Sequence, residues 1–131
     1  MADALLLLDT TALIDILRGG AAVQRLSTHR DDGDALCTTA INVEEVVRGL
    51  RPQELDAASD LFAGLVIVPL GHPEGRQAGI WRREYAADGI TLSQADCLIA
   101  AAALTADARL VTGNPRHFPM REIAVEHWPP G

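Results

Sequence analysis

Four consecutive leucines, Leu5–Leu8, run straight into Asp9 and then into a helical pattern at Leu13, Ile14 and Leu17. A short unbroken apolar run of this kind reads as a strand buried on both faces. Thr10 or Thr11 can cap the following helix, and Gly19 ends it. The alternation continues. Ala22–His29 reads as a second short helix, Ala35–Thr38 as a strand and Ala40–Leu50 as a helix. Pro52 suits the first turn of a further helix to Ala63, and Leu65–Pro69 reads as a third strand. His72–Ala87 is helical through Ala78, Trp81 and Tyr85. Ser93 caps another helix that packs Ala95, Leu98, Ile99, Ala102 and Ala103. Arg109–Thr112 is a fourth strand and Ile123–Glu126 a short fifth. Strands alternating with helices predict an α/β chain, a mostly parallel sheet with helices on both faces joined by right-handed crossovers. In such sheets ligands bind at the carboxyl ends of the strands. With 131 residues, no internal repeat and no linker-like stretch, one domain spanning 1–131 is expected.

Charge narrows the chemistry. All 11 basic residues are Arg, so the sequence holds no Lys. That excludes a P-loop, Schiff-base and pyridoxal-phosphate catalysis. It also excludes receiver domains and haloacid-dehalogenase-type phosphatases, which likewise begin with a strand ending in acid but need a Lys later. The net charge is −7, opposite in sign to that of a general nucleic-acid binder. The acid is therefore expected to be gathered around a cation or covered by a basic partner. The longest apolar runs, Leu5–Leu8 and Cys97–Leu104, are far short of the about 20 residues of a membrane span. Met1-Ala2-Asp3 carries no basic segment of a secretory signal. Two cysteines, Cys37 and Cys97, form no disulfide framework, which points to a reducing cytoplasm.

Three acids stand out by position. Asp9 follows the first strand directly and so lies at its carboxyl end, where an Asp either caps a helix or faces a ligand. Glu44 and Glu45 share a helix whose buried side is set by Ile41, Val46 and Leu50. Glu45 is next to that stripe, and periodicity leaves the choice between them open. Asp96 opens an almost wholly apolar helix, which predicts a buried carboxylate in need of donors or a cation. It also lies three residues past Ser93, a capping-box-like position that Glu or Gln normally fills. Thr112 and Asn114 emerge at the same sheet edge as Asp9. Two carboxylates about 4 Å apart repel by roughly 4 kcal/mol at an effective dielectric of 20. Three at one edge call for protonation or a cation. Carboxylates with an amide or hydroxyl are hard donors that suit Mg²⁺ or Mn²⁺. The scattered His29, His72, His117 and His127 offer no zinc spacing.

The order of motifs is Leu-Leu-Leu-Asp9-Thr-Thr-x-Leu-Ile-Asp15, Thr39-x-x-x-x-x-Glu45-x-x-x-Gly49, Asp96-x-x-Ile-Ala-Ala and Val-Thr112-x-Asn114-x-x-His117-Phe118. Together they resemble the PIN-domain ribonucleases, and more closely the VapC toxins of bacterial toxin–antitoxin pairs, over the whole chain. The resemblance selects Glu45 over Glu44, because the family's Glu stands four residues before the Gly. It implies a three-layer α/β/α sandwich and Mg²⁺- or Mn²⁺-dependent cleavage of RNA, often tRNA or rRNA. It also implies a homodimer neutralised by a VapB-type antitoxin whose basic tail enters the acidic site. On this reading Asp9, Glu45 and Asp96 are catalytic and hold the metal. Asp9 and Asp96 grip the ion, and Glu45 is a ligand or orients the water. Thr39, Thr112 and Asn114 fix the carboxylates, and Arg116 contacts RNA. Arg48, Arg51, Arg82 and Arg83 are further candidates for the RNA backbone. Asp15 is structural. Family members often carry an acid at the position of Asn114 or His117, and this chain does not. That departure defines the competing reading, a catalytically weak PIN-like module that binds RNA or protein without cutting.

Overall fold

The computed structural model describes residues 4–131. The segment Met1–Asp3 read above for a signal lies outside them. The chain builds β1 (Leu5–Leu8), α1 (Thr10–Leu17), α2 (Ala22–Asp31), β2 (Ala35–Thr38), α3 (Ala40–Arg48) and α4 (Leu55–Ala63). It continues with β3 (Val66–Ile67), α5 (His72–Ala87), α6 (Gln94–Thr105), β4 (Arg109–Thr112) and β5 (Val125–His127). The strands form one sheet in the order β3-β2-β1-β4-β5, and every pairing is parallel. Strand order reverses between β1 and β4. The crevice at their carboxyl ends is therefore the switch point where doubly wound sheets take ligands.

The leucine run is the centre of both cores. Leu6 and Leu8 face α1 and α2 with Leu13, Leu26, Val46 and Val111. Leu7 faces the other side with Trp81, Ile99, Leu110 and the alanines 100–103 of α6. A strand covered on both faces needs no polar alternation, which is why the four leucines stand unbroken. The consecutive alanines let α6 lie close on the sheet. Helices on both faces make the three-layer α/β/α sandwich. Cys37 and Cys97 are buried and unlinked, and burial pushes the Cys37 thiol up to about 11.

Several boundaries differ from expectation. The third strand is Val66–Ile67, not Leu65–Pro69. It is an exposed edge that pairs only with Cys37 and Thr38, though the Val68 N–H adds one bond to the Thr38 carbonyl at 2.9 Å. Pro69 has no N–H to carry the ladder further. The fifth strand is Val125–His127 in place of Ile123–Glu126. Ile123 packs its side chain on the core from a turn, so its apolar character was not a strand signal. The helix expected over Ala40–Leu50 stops at Arg48, and α2 runs on to Asp31. The helix expected from Pro52 is a 3₁₀ turn, Pro52–Glu54, followed by α4. Gly19, with φ of 72°, reverses the chain after α1. Neither Thr10 nor Thr11 caps that helix. Asp9 occupies the cap position, yet its carboxylate makes no capping bond.

Candidate active site

Asp9 is released from capping because its carboxylate is engaged elsewhere. The Thr112 hydroxyl, at the end of β4, donates to Asp9 Oδ2 at 2.7 Å. Asn42 Nδ2, in the first turn of α3, donates to Asp9 Oδ1 at 3.2 Å. These two bonds fasten Asp9 between neighbouring strands and a helix. The threonines of α1 serve the same region. Thr10 donates to Glu45 Oε1 at 2.7 Å. The Thr11 hydroxyl lies 3.3 Å from that of Thr112 and accepts the Gly113 N–H at 2.7 Å.

Asp9, Glu45 and Asp96 line one open cleft of about 510 Å³, together with Thr10, Asn114 and His117. Glu45 comes from α3 and Asp96 from α6. Glu44 is turned away and pairs with Arg48 at 3.2 Å. The cleft sits on the carboxyl side of β1 and β4. A cavity of about 350 Å³ at the opposite sheet edge, beside Leu104 and Ile123, holds no comparable set of acids.

Burial pushes the Asp9 carboxyl above its ordinary value. The Thr112 hydroxyl and the Thr10 backbone N–H pull it back, and the charges of Asp96 and Glu45 add to the rise. No Arg pairs with any of the three acids among the described residues. Two basic residues line the cleft: Arg48, whose guanidinium pairs with Glu44, and His117, whose Nδ1 lies 3.5 Å from Asp96 Oδ2. The arrangement is thus a concentration of negative charge in which no Arg pairs with Asp9, Glu45 or Asp96 among the described residues. No three His, Cys, Asp or Glu side chains among the described residues stand close enough to form a ready-made metal cage.

Three expectations need correction. Asp96 is not deeply buried: it lies in the first turn of α6 and its side chain is 26% exposed, because that turn opens to the cleft. Its backbone N–H, not its carboxylate, takes part in capping, donating to Ser93 Oγ at 3.0 Å. Thr39 makes no hydrogen bond to a carboxylate among the described residues. It caps α3 and its hydroxyl donates to Asn42 Oδ1 at 2.7 Å. Asn114 lines the cleft but does not bond a carboxylate; its backbone N–H donates to Thr112 Oγ1 at 3.0 Å. Arg116 does not line the acids' cleft but an adjoining pocket of about 290 Å³, which shares Asn114 and His117 with it and also takes in His127. Asp15 points away and accepts the backbone N–H groups of Ala22 at 2.9 Å and Gly131 at 3.1 Å.

The sequence reading misses Asn42 and takes Thr10 only as a helix cap. The spacing Thr39-x-x-Asn42 is a variant of the capping box, and its second member could have been flagged by that pattern. Nothing local announces that Thr10 reaches a helix 35 positions away.

The model of the family described as PIN domain matches residues 6–125. Ribonuclease VapC19 of Mycobacterium tuberculosis is 35% identical over 115 residues, which is 87% of this chain and 92% of its own. The solved structure of DNA-bound VapBC from Salmonella typhimurium superposes with a TM-score of 0.82 at 22% identity, over 95% of this chain and 98% of that one. A member of the VapBC family of toxin–antitoxin systems from Mycobacterium tuberculosis gives a TM-score of 0.68 at 17% identity, over 95% and 99%. At these identities the two structures speak for the fold.

Proposed function

The chain belongs to the PIN-domain family and groups with the VapC ribonucleases; on that premise we propose that it is the toxin of a toxin–antitoxin pair, an endoribonuclease that hydrolyses phosphodiester bonds in RNA. The observation that carries the reading is the meeting of Asp9, Glu45 and Asp96, from three separate elements, in one open cleft at the sheet's switch point. Structure stability alone gives no reason to gather three carboxylates and pair none of them with an Arg, the cleft's Arg48 being turned to Glu44.

The donor set fits a divalent cation. Asp9, Glu45 and Asp96 offer carboxylate oxygens, no thiol lines the cleft, and the buried Asp9 lacks a cationic partner. Mg²⁺ and Mn²⁺ take such hard donors, and Mg²⁺ commonly uses only one or two carboxylates while keeping several waters. An open cleft without a closed cage suits that habit. Asp9 and Asp96 would hold the ion, with Glu45 as a further ligand or as the group that orients the attacking water. When bound, the cation supplies a Lewis acid that makes a water more acidic and offsets charge on the phosphate.

The chain's own residues do the rest. Thr112 and Asn42 fix Asp9, and Thr10 fixes Glu45. Thr39 acts by orienting Asn42. Asn114 stands at the cleft wall with an amide free to bond RNA. Arg116, in the adjoining pocket, meets a backbone phosphate as the strand leaves the acids. The net charge of −7 suits a basic partner, and a VapB-type antitoxin with an Arg-rich tail would cover the cleft. No helix among the described residues is long and apolar enough to cross a membrane.

The test is cleavage of purified tRNA and rRNA by the purified chain with Mg²⁺, with Mn²⁺ and with EDTA. Discrete fragments that vanish with EDTA and in Asp9→Asn support the reading. Intact RNA in all three conditions, with RNA still retained by the protein, favours the binding-only module.

A further inference from the structure

We propose that Asn42 is a positioning residue that locks Asp9 and Glu45 to each other through its single carboxamide. The inference rests on the nuclease reading of the cleft and adds to it the device that sets the spacing of two of its acids.

Asn42 is wholly buried, and each polar atom of its amide has a partner. Its Oδ1 accepts the Thr39 hydroxyl at 2.7 Å and the Thr39 backbone N–H at 3.3 Å. With Oδ1 so occupied, the Nδ2 end must face the other way. Its two hydrogens go to Asp9 Oδ1 at 3.2 Å and to Thr10 Oγ1 at 3.0 Å. An NH₂ group has two hydrogens to give, so none is left over.

The direction of every bond then follows. Thr10 Oγ1 accepts from Asn42, so its own hydrogen is free for Glu45 Oε1, 2.7 Å away. The path Asp9–Asn42–Thr10–Glu45 therefore runs from β1's end to the second turn of α3 and has only one proton arrangement. Asp9 and Glu45 repel each other, and a donor-only link between them holds both negative charges at a set separation. A helix N-terminal Asn whose only duty was capping would need Thr39 alone. The bonds to Asp9 and Thr10 exceed that duty. A threonine at position 42 could not reproduce them, because one hydroxyl hydrogen cannot serve two acceptors.

The experiment measures Mn²⁺ binding directly, by the electron paramagnetic resonance of free Mn²⁺, on purified full-length protein. Circular dichroism and thermal melting run beside it. The variants are Asn42→Ala, Thr10→Val and the pair combined. Thr10→Val leaves Asn42 and the α3 cap in place, so it carries the test if Asn42→Ala does not fold.

Groups that orient metal ligands typically matter by ten- to a hundredfold in metal affinity or activity. Folded Asn42→Ala is expected to bind Mn²⁺ at least about tenfold more weakly, and Thr10→Val severalfold more weakly. The two losses overlap, so the double variant exceeds Asn42→Ala by less than the factor seen for Thr10→Val alone. Wild-type Mn²⁺ affinity in either folded single variant overturns the proposal, as do losses that simply multiply. If the wild-type chain itself binds no Mn²⁺ and cleaves no RNA, the nuclease reading fails first, and the proposal with it.

Discussion

Thr112 and Asp9 stand 103 positions apart in sequence, yet the Thr112 hydroxyl donates to Asp9 Oδ2 at 2.7 Å across the β1–β4 boundary. The same oxygen of Thr112 accepts the Asn114 N–H and meets the Thr11 hydroxyl. One buried threonine therefore ties the last motif to the first.

Thr112→Val removes that tie and keeps the volume. A hydrogen bond to a charged group is worth about 1.5–3 kcal/mol. The expected result is a stability loss of about that size by urea unfolding, with RNA cleavage reduced by about tenfold or more. Thr112→Ser retains the hydroxyl and is expected to restore cleavage. A Val variant as active as wild type would show that Asp9 needs no fixing from β4.

Glu44 and Glu45 are neighbours with opposite surroundings: one pairs with Arg48 on the surface, the other faces the acids. Glu44→Gln is expected to leave cleavage within twofold of wild type, because an exposed i,i+4 pair contributes only about 0.3–0.5 kcal/mol. Glu45→Gln is expected to lower kcat by about tenfold or more. Steady-state kinetics on a defined RNA checks both, and equal losses would count against the assignment of Glu45.

Metal binding and stability are linked. A cation held at a hundred times its Kd stabilises the folded state by about 2.7 kcal/mol. Wild-type protein is expected to melt higher in Mn²⁺ than in EDTA. Asp96→Asn is expected to lose that rise, and in EDTA to melt no lower than wild type, since it relieves repulsion of Asp9. Differential scanning calorimetry decides it. An undiminished Mn²⁺ rise in Asp96→Asn would remove Asp96 from the metal site.

Asp15 gives a pH prediction. The Ala22 N–H and then the Gly131 N–H hold its carboxyl below its ordinary value of 3.8. The charged form is favoured by folding, so its contribution is complete above pH 3.8 and is lost as pH falls through the lowered folded value. The stability difference between wild type and Asp15→Asn is expected to be flat from pH 7 to pH 5 and to shrink below 3.8. Urea unfolding across that range checks it. Gly20 protects the same carboxylate: an added Cβ would lie 2.0 Å from Asp15 Oδ1. Gly20→Ala is expected to cost about 1–3 kcal/mol.

The fold was largely legible because its strands are punctuated. The leucine run of β1 and the Ser93 cap of α6 are local signals, and local physics produced the elements they announced. The bounds of β3 and β5 were less legible, because Leu65, Val68 and Ile123 are apolar to pack on the core without being strand residues. Asp9 and Asp96 could be named because one sits at a strand end and the other in a helix's first turn, whereas Glu45, in the second turn of α3, is separated from Glu44 only by the family resemblance. Asn42 and Thr10 could not, because their importance lies in bonds between segments more than 30 positions apart. The capping role assigned to Thr10 and Thr11 failed for the same reason, their hydroxyls being drawn to Glu45 and Thr112.

The most direct measurement is expression of the chain from a tightly controlled promoter, wild type beside Asp9→Ala and Asp96→Ala, with sequencing of new RNA 5′ ends. The account predicts growth arrest with a small set of discrete new ends in the wild type and neither in the two variants. Soluble wild-type protein with unchanged growth and unchanged RNA ends would contradict it.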